Sequence, residues 1–532
     1  MNSKIKLSAF ADEYSSAFQE QIQILKQEGI KYLEIRNVDG ENVASITLEK
    51  AKEIKARLDE NNLKVSSIGS PLGKIDITDD FDEHLKVARH IFEIAKILDC
   101  QYVRMFSFYN RYNVEYDIYE KEVFIRLEKL LDLADSYQLT LCHENEAGIY
   151  GDTDKNCFKL LSHFSKRLKA VFDMGNFVLE GCDPIKAYPL LKDYIEYFHI
   201  KDSLFEGAIV PANKGEARIK EVLSLALKDQ NKDFFITIEP HLESFDGFNS
   251  LTNVKYQNPY KFKTQQEAFL AGVNSTKEIL NSLGSFKVDI QDKLLVKAFP
   301  TRAKMGEDAA KDISMCLKTL LAQKEELNVV FAAAPSQNDV LEALVEDKTI
   351  DWNRINAYHM DEYIGLELNA PQRFSAYLNE HIFGLVNFKS VNLIGTTDVK
   401  EYGKFLKNNV DVVILGIGEN GHIAFNDPGV ADFNDKEDIK TVELDEMCRN
   451  QQVHDGCFPS LDKVPTHAVT LTIPTMFSGR YLFCVVPTTN KSEAVKNTLY
   501  GEINESCPAS ILRKHDNATM YLDYDSASLI EL

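Results

Sequence analysis

Four side chains that readily bind divalent metal ions are spread along the first half of the chain. They are Glu144, Asp173, His199 and Glu239, and each ends or nearly ends a short apolar run. Three carboxylates and one imidazole suit manganese, magnesium, cobalt or zinc. Such an ion grips two adjacent oxygens of a hydroxy-ketone or hydroxy-aldehyde and acidifies the C–H bond between them. The pattern therefore predicts one divalent metal ion, with a carboxylate that moves the proton.

A glycine-rich segment in the second half, Leu415–Gly429, reads LGIGENGHIAFNDPG. Its glycines at 416, 418 and 421 match the G-x-G-x-x-G pattern of dinucleotide-binding sites. That pattern must open a helix, whereas Asn426-Asp427-Pro428-Gly429 breaks the chain within a few residues. The segment also falls late in its domain, so we reject a dinucleotide site.

The same segment is better interpreted as a tight loop that brings backbone amides, including that of Gly418, close to a ligand. It presents His422, and either Asn420 or Asp427 can orient the imidazole. A separate segment, YHMDEYIGL, places Asp361 just beyond a strand end, where a carboxylate faces a crevice. These side chains predict a second site of proton transfer.

The elements that must position the first set alternate between short apolar runs and longer amphipathic segments. Eight strands that alternate with helices over about 280 residues predict a closed (β/α)8 TIM barrel, whose active face lies at the strand ends. The predicted strands are Leu7–Ala11, Tyr32–Ile35, Val65–Ile68, Tyr102–Phe106, Thr140–Glu144, Ala170–Asp173, Tyr197–Lys201 and Phe235–Glu239.

The second half alternates with a different rhythm, which predicts an open, mostly parallel, doubly wound α/β domain. Its predicted strands are Val329–Ala333, Ile355–His359, Val391–Ile394, Val412–Ile417, Ala468–Thr472, Tyr481–Val486 and Met520–Asp523. A polar stretch over Asn274–Gln291 separates the halves, so we predict domains at residues 1–285 and 286–532.

Composition narrows the possible functions. The net charge of -22 opposes binding to nucleic acid or to an anionic membrane surface. Nine scattered cysteines without a C-x-x-C pair indicate reduced thiols. No signal-peptide core or membrane-spanning apolar run is evident, so we expect a soluble, cytoplasmic protein. Its partner would be a small molecule, and it could form a homo-oligomer.

Residues 5–280 resemble the sugar phosphate isomerase/epimerase family, the xylose isomerase-like barrels. The similarity is carried by Glu144, Asp173, His199 and Glu239 in order, and by the segments Cys142–Asn145, Phe172–Asn176 and His199–Asp202. In ketose epimerases of this type the first and last Glu bind metal and exchange the substrate proton, which implies those roles for Glu144 and Glu239.

Other positions in the barrel refine this resemblance. Relatives often have His where this chain has Glu146 and Asn176, which favours a single metal ion. A DNA-repair endonuclease branch uses several zinc ions and more histidines, and the charge and the 12 His argue against it. Lys201 could reach a substrate oxygen or phosphate. Glu34 and Arg36, at the end of the second strand, could line the barrel mouth, but we interpret them as a structural ion pair.

Residues 288–532 resemble the glucosamine-6-phosphate deaminase/isomerase family. The matching segments, in order, are HMDEYIGL, LGIGENGHIAFNDPG, VPTHAVTLTIPT and CPASILRKH. The resemblance implies that Asp361 moves a proton between sugar C1 and C2 and that His422 opens the sugar ring. Asn420 and Asp427 would support His422, although many members have Glu at the position of Asp427.

The resemblance weakens at the phosphate-binding segments. The family's loop runs roughly Thr-Gly-Ser-x-Pro, whereas this chain has Ala334-Pro335-Ser336-Gln337-Asn338, and proline donates no N–H. Ser336 and Asn338 remain candidate substrate contacts, as does Lys491, which matches a phosphate-contacting lysine. Asp438 replaces the usual arginine in our alignment. We therefore expect an altered anion pocket and a differently phosphorylated or unphosphorylated sugar.

Together these features predict a bifunctional enzyme of carbohydrate and amino-sugar metabolism. A metal-dependent sugar isomerase or epimerase would be fused to an amino-sugar-phosphate deaminase/isomerase-like domain. The alternative is one active isomerase domain, with the deaminase-like domain as a sugar-binding regulatory module. The pair Asp361 and His422 favours two active domains, because a pure binding module needs neither a base nor a proton shuttle.

Overall fold

The computed structural model describes residues 4–242, 260–395, 399–444, 446–454 and 456–532. The chain divides into two units, Met1–Leu283 and Gly284–Leu532. Each unit has its own sheet and its own buried core, and each is described separately below.

Eight parallel strands close into a barrel in the first unit, as the sequence predicts. Each strand pairs with its neighbours in chain order, and β1 closes the barrel by pairing with both β2 and β8. The strands are β1 Ile5–Ala9, β2 Tyr32–Ile35, β3 Lys64–Ile68, β4 Tyr102–Met105, β5 Thr140–Glu144, β6 Leu168–Asp173, β7 Ile195–Ile200 and β8 Phe234–Ile238.

Helices follow the barrel strands and are fixed by local sequence signals. In α3 the Asp80 side chain caps the N-terminus by accepting from the N–H groups of Asp82 and Glu83, and Phe81, His84, Ala88, Ile91 and Ala95 lie on its buried side. The helices are α1 Phe18–Gln27, α2 Leu48–Glu60, α3 Phe81–Ile97, α4 Tyr116–Ser136, α5 Asp154–Phe164, α6 Met174–Leu179, α7 Pro184–Leu191, α8 Ile219–Asp229 and α9 Gln265–Ser282.

An open sheet of eight strands forms the second unit, in the order β9-β10-β19-β18-β15-β11-β12-β14. All neighbours are parallel except β9 and β10, which form an antiparallel pair. The strands are β9 Lys287–Gln291, β10 Leu294–Phe299, β11 Leu327–Phe331, β12 Ile355–His359, β14 Ser390–Asn392, β15 Val412–Leu415, β18 Tyr481–Val486 and β19 Ala518–Asp523.

A small antiparallel sheet adds three further strands in the order β13-β17-β16. They are β13 Asp361–Tyr363, β16 Ile439–Glu443 and β17 His467–Leu471. Sequence periodicity did not predict β13 or β16, because a short strand pairs through its backbone and needs little apolar side-chain area of its own.

The segment that we interpreted as a polar separator is regular structure. Residues 274–282 continue α9, and residues 287–291 form β9, which pairs with β10. The boundary between the two units follows Leu283 and so lies inside this stretch, which is polar because a helix with one exposed face and an edge strand both carry many polar side chains.

Seven helices of the second unit are described. They are α10 Arg302–Gln323, α11 Asn338–Glu346, α12 Phe374–Leu378, α13 Val399–Leu406, α14 Glu446–His454, α15 Ile473–Phe477 and α16 Ser492–Tyr500. None of the helices described in either unit combines the length and the apolar character needed to cross a membrane.

Candidate active sites

The predicted metal ligands lie together at the carboxyl ends of the barrel strands. Glu144 ends β5, Asp173 ends β6, His199 lies one residue before the end of β7, and Glu239 directly follows β8. One donor atom from each lies within 4.8 Å of the donors of the other three, and all four side chains are buried. Adjacent parallel strands that end at one level converge there.

Carboxylates hold both nitrogens of the His199 ring. Nδ1 lies 3.1 Å from Glu144 Oε1 and 3.2 Å from Glu239 Oε2, while Nε2 lies 3.0 Å from Glu34 Oε2. The Tyr197 hydroxyl donates to Glu34 Oε1 at 2.9 Å and fixes that carboxylate. Glu34 is thus a partner of His199, and our interpretation of it as an ion-pair partner of Arg36 is wrong.

Two buried cations contact the same carboxylates. Lys201 Nζ lies 2.8 Å from Asp173 Oδ2 and 3.0 Å from Glu239 Oε2, and Arg104 Nη1 lies 3.1 Å from Glu144 Oε2. Burial alone would raise the pKa of Glu144, but the charges of His199 and Arg104 lower it. Burial raises the pKa of Asp173 although Lys201 opposes that change.

A neighbouring acidic group already has a cation of its own. Glu13, Glu239 and His241 also bring donor atoms together, but the Arg36 guanidinium lies among them. Its Nη2 is 3.3 Å from Glu13 Oε1, and its Nη1 is 3.2 Å from Glu239 Oε1 and 3.4 Å from His241 Nε2. The guanidinium supplies the positive charge that a second metal ion would bring.

The four-ligand group fits one divalent cation. Donors bonded to a single ion at about 2.0–2.6 Å lie at most about 5 Å apart, which matches this set. Four carboxylates surround His199, and they outnumber the three cationic side chains that contact them, which are Arg36, Arg104 and Lys201. The Glu34 contact also supplies the carboxylate that metal-binding histidines commonly have on their other nitrogen.

A cavity in the second unit is lined by five of the eight residues that the sequence predicts for this domain. Asp361 and His422 lie on its wall together with Ser336, Gly418 and Lys491. Asn338 lies outside the residues that line the cavity, and its side-chain oxygen accepts from the Tyr377 hydroxyl.

Asp427 and Asn420, the two residues that the sequence placed near His422, contact its ring and its backbone N–H, respectively. Its Nδ1 lies 2.9 Å from Asp427 Oδ1, at ion-pair distance but without an aligned hydrogen bond. Asn420 Nδ2 donates to the same oxygen at 3.0 Å, and the His422 backbone N–H donates to Asn420 Oδ1. Burial alone would raise the pKa of Asp427, but the close contact with His422 and the charge of its ring hold it below its ordinary value.

Asp361 faces the cavity at the start of β13 and is 6% exposed. Burial, reinforced by the charge of Glu362, raises its pKa well above the ordinary value. Glu362 lies on the opposite face of the strand and accepts from the backbone N–H groups of Phe374 and Ser375. Asp361 is therefore available for proton transfer, whereas the oxygens of Glu362 are occupied by structural hydrogen bonds.

The glycine loop explains how the imidazole reaches the cavity. A Cβ on Gly418 would overlap the His422 ring, so only glycine leaves room for it. Gly421 has a φ of 82°, which places its backbone in the left-handed region. The loop is therefore built around the ring position, as expected for a segment that presents one side chain.

Several cavity residues escaped sequence reasoning. Asp438, which replaces the family's usual arginine, lies outside the cavity lining, and its carboxylate lies 2.7 Å from Lys407 Nζ. Gln452 and Arg302 line the cavity instead.

In the first unit, the charged residues Glu34 and Arg104 inside predicted barrel strands were the signal that could have indicated the partners of the ligand group, because a buried charge there needs a partner.

Comparison with known proteins finds a matching family model for each half of the chain. Residues 22–258 match a family model described as xylose isomerase-like TIM barrel, and residues 300–521 match one described as glucosamine-6-phosphate isomerases/6-phosphogluconolactonase. A glucosamine-6-phosphate deaminase of Exiguobacterium sibiricum is 31% identical over 234 residues, which are 43% of this chain and 90% of that protein. One from Bacillus cereus is 32% identical over 233 residues, or 42% of this chain and 87% of that protein.

Two solved structures are similar to the separate halves. A monomeric glucosamine-6-phosphate deaminase is 28% identical and covers 44% of this chain and 99% of its own, with a TM-score of 0.40. The IolI protein with a bound zinc atom is 17% identical and covers 53% of this chain and 99% of its own, with a TM-score of 0.42. The chain thus fuses a xylose isomerase-like TIM barrel to a second domain, through which it belongs to the glucosamine-6-phosphate isomerase/6-phosphogluconolactonase family.

Proposed function

We propose that the second domain is an amino-sugar-phosphate deaminase that also isomerises the sugar from aldose to ketose. The observation that carries this proposal is that Asp361 and His422 lie on the wall of one cavity with the cation of Lys491. A carboxylate with a raised pKa and a histidine backed by Asp427 are the two proton-transfer groups that the reaction needs.

The reaction follows from these side chains. His422 moves a proton from the anomeric hydroxyl to the ring oxygen, which opens the sugar to an aldehyde. Asp361 then takes the C2 proton and returns it to C1, while the aldehyde oxygen gains a proton and the C2 amine loses one. The amine thereby passes through an enamine to an imine beside a C1 hydroxyl. Water adds at C2, ammonia leaves, and a ketone remains.

Asn420 and Asp427 take no part in the bond changes themselves. Their contacts hold the His422 ring in the cavity, with Nδ1 toward Asp427 Oδ1 and the other nitrogen free to face the sugar. An orienting carboxylate of this kind fixes the imidazole and stabilises its charged form.

The test of this domain is ammonia release and ketose formation from glucosamine 6-phosphate by the full-length chain. Activity is expected for the wild type and should be lost in both Asp361→Asn and His422→Gln. Product formation that survives both substitutions would sink the assignment.

We further propose that the barrel is a metal-dependent sugar isomerase or epimerase. Glu144, Asp173, His199 and Glu239 would hold one divalent ion, which would polarise the hydroxyl and carbonyl oxygens of the sugar. Glu144 and Glu239 would exchange the proton at the neighbouring carbon. Lys201, 2.8 Å from Asp173, would donate to a sugar oxygen.

Proton exchange provides the test of the barrel. The chain is incubated with a panel of ketoses in D2O, with Mn2+ or after chelation, and deuterium in the recovered sugar is measured. We expect metal-dependent incorporation that Glu239→Gln abolishes while Asp361→Asn leaves it intact. Incorporation that chelation does not change would contradict metal dependence.

A further inference from the structure

The loop before α11 is one of the places where the sequence of the second domain differs from the family pattern. In Ala334-Pro335-Ser336-Gln337-Asn338 a proline removes one backbone N–H donor from the cavity wall. The Pro335 carbonyl accepts a hydrogen bond from Nη2 of Arg302. The loop therefore offers an acceptor that binds a guanidinium at the point where a phosphate-binding loop would offer donors.

Arg302 is the first residue of α10 and lines the same cavity as Asp361 and His422. Its Nε donates to Asp339, and Nη2 donates to Pro335, so the guanidinium plane is held from two sides. Within the described parts of the chain no acceptor is found for Nη1, and the side chain is 32% exposed. The guanidinium is thus both fixed and accessible to a ligand.

The close approach of two helices sets this position. A Cβ on Gly306 would lie 2.5 Å from Asp339 Cβ and 3.0 Å from the Asp339 carbonyl carbon. Glycine at this point lets α10 and α11 come near enough for Asp339 to reach Arg302. The Tyr377 hydroxyl donates to the Ala334 carbonyl at 2.7 Å and fixes the loop from its other side.

Positive charge is concentrated on this wall of the cavity. Lys491 lies on it immediately before α16, and Ser336 lies on it just before α11. No side chain caps the N-terminus of either helix. The partial positive charges of two helix N-termini therefore add to those of Arg302 and Lys491.

We propose that Arg302 is the principal anion-binding residue of this cavity and that it holds the phosphate of the sugar together with Lys491. It takes over the role of the backbone donor that Pro335 removes. A guanidinium matches a phosphate because two parallel N–H groups can donate to two oxygens. The inference rests on the proposed deaminase function and assigns the residue that holds the phosphate of its substrate.

The test compares Arg302→Ala with Lys304→Ala in the full-length chain. Lys304 lies two residues further along α10, outside the cavity lining, and its side chain is 63% exposed, so the control removes the same charge without touching the site. Calorimetry with inorganic phosphate should show binding weakened about 10–100-fold by Arg302→Ala, as for loss of a charge-assisted pair, and unchanged in the control.

Kinetics separate binding from chemistry. Arg302→Ala should raise KM for glucosamine 6-phosphate at least 10-fold, and millimolar guanidinium should partly restore it, which a merely structural role would not allow. Arg302→Lys should give an intermediate KM because it keeps the positive charge and loses the two parallel N–H groups of the guanidinium. The Arg302→Lys variant also tests the inference if Arg302→Ala does not fold.

The outcomes are distinguishable. Equal phosphate affinity in Arg302→Ala and wild type would overturn the inference, as would an Arg302→Lys enzyme with unchanged phosphate affinity and KM. Arg302-dependent phosphate binding without turnover of any amino sugar phosphate would keep the anion site and sink the deaminase function. Turnover of the amino sugar phosphate that does not change when Arg302 is replaced would keep the deaminase function and reject Arg302 as the anion-binding residue.

Discussion

Adjacent residues of the same chemical type differ completely in what they can do. Asp361 and Glu362 are both buried carboxylates in one short strand, but successive side chains of a strand point to opposite faces. Glu362 accepts several hydrogen bonds from the segment that begins α12, including one from the Ser375 hydroxyl at 2.7 Å. Asp361 faces the cavity, where burial favours its neutral form.

Asp361→Asn should lower deaminase turnover by about 10²–10⁴-fold, the usual contribution of a positioned acid or base. The same substitution should raise the melting temperature at neutral pH. The folded-state pKa lies above the ordinary 3.8, so the unfolded chain ionises first and the carboxylate costs stability as pH rises above that value.

The gain in melting temperature should therefore shrink to nothing below about pH 3.8, where both states hold the proton. Thermal unfolding of wild type and variant across pH 3–8 measures this. A variant that is less stable than wild type at pH 7 would show that the carboxylate has a favourable partner after all.

Glu34→Gln should weaken metal binding in the barrel about 10–100-fold, since partners of metal-binding histidines commonly contribute that much. The amide would lose the charge that faces His199 Nε2 at 3.0 Å. Metal titration of the chelated protein is the measurement. Glu196→Gln is the matched control, because Glu196 is a buried carboxylate near the start of β7 that pairs with Lys232.

At the scale of elements, the glycine loop after β15 exists to make space for one ring. Gly418→Ala should displace the His422 imidazole and slow ring opening by about 10²-fold or more, since small misplacement of a catalytic group has effects of that size. A double-mutant cycle measures this. The substitution should cost little further activity in a His422→Gln background, and fully additive losses would argue against a contact effect.

At the α10–α11 contact, a substitution of Gly306 has two effects of opposite sign on the free energy of unfolding. Gly306→Ala improves helix propensity by about 1 kcal/mol, but a Cβ would meet Asp339 at 2.5 Å and its backbone at 3.0 Å. Overpacking of this kind costs about 1–3 kcal/mol, and backbone cannot easily move aside. We expect a lower unfolding free energy in denaturant titrations, and an unchanged or higher value would mean that the helices separate at little cost.

At the scale of the whole molecule, each unit contains one of the two groups of candidate site residues. The barrel cluster belongs to Met1–Leu283, and the cavity belongs to Gly284–Leu532. Chelation should therefore abolish proton exchange by the barrel and leave ammonia release intact, while Asp361→Asn should have the opposite pattern. Parallel assays on one preparation check this, and loss of both activities on chelation would contradict separate sites.

Metal binding should also affect only part of the thermal unfolding profile. An ion at 100 times its dissociation constant stabilises the folded state by about 2.7 kcal/mol. Calorimetry with and without Mn2+ should show a rise in the transition of the barrel unit alone. Residues 243–259, which follow β8, lie outside the described part of the chain and enter none of these predictions.

Sequence alone determined the features that are local or periodic. Strand and helix alternation predicted both folds, and the four candidate metal ligands of the barrel could be grouped because strand ends of a barrel must converge. The LGIGENGHIAFNDPG and MDEY segments identified His422 and Asp361, because each presents its side chain through local backbone geometry.

Only the tertiary structure decided contacts between residues far apart in the chain. Glu34 and His199 are 165 positions apart, and Arg302 and Pro335 are 33 apart, yet each pair shares a hydrogen bond. Periodicity shows which face of an element is buried, but it does not show which polar group on another element meets it there. Buried charges require partners, and the choice of partner depends on how the whole sheet closes.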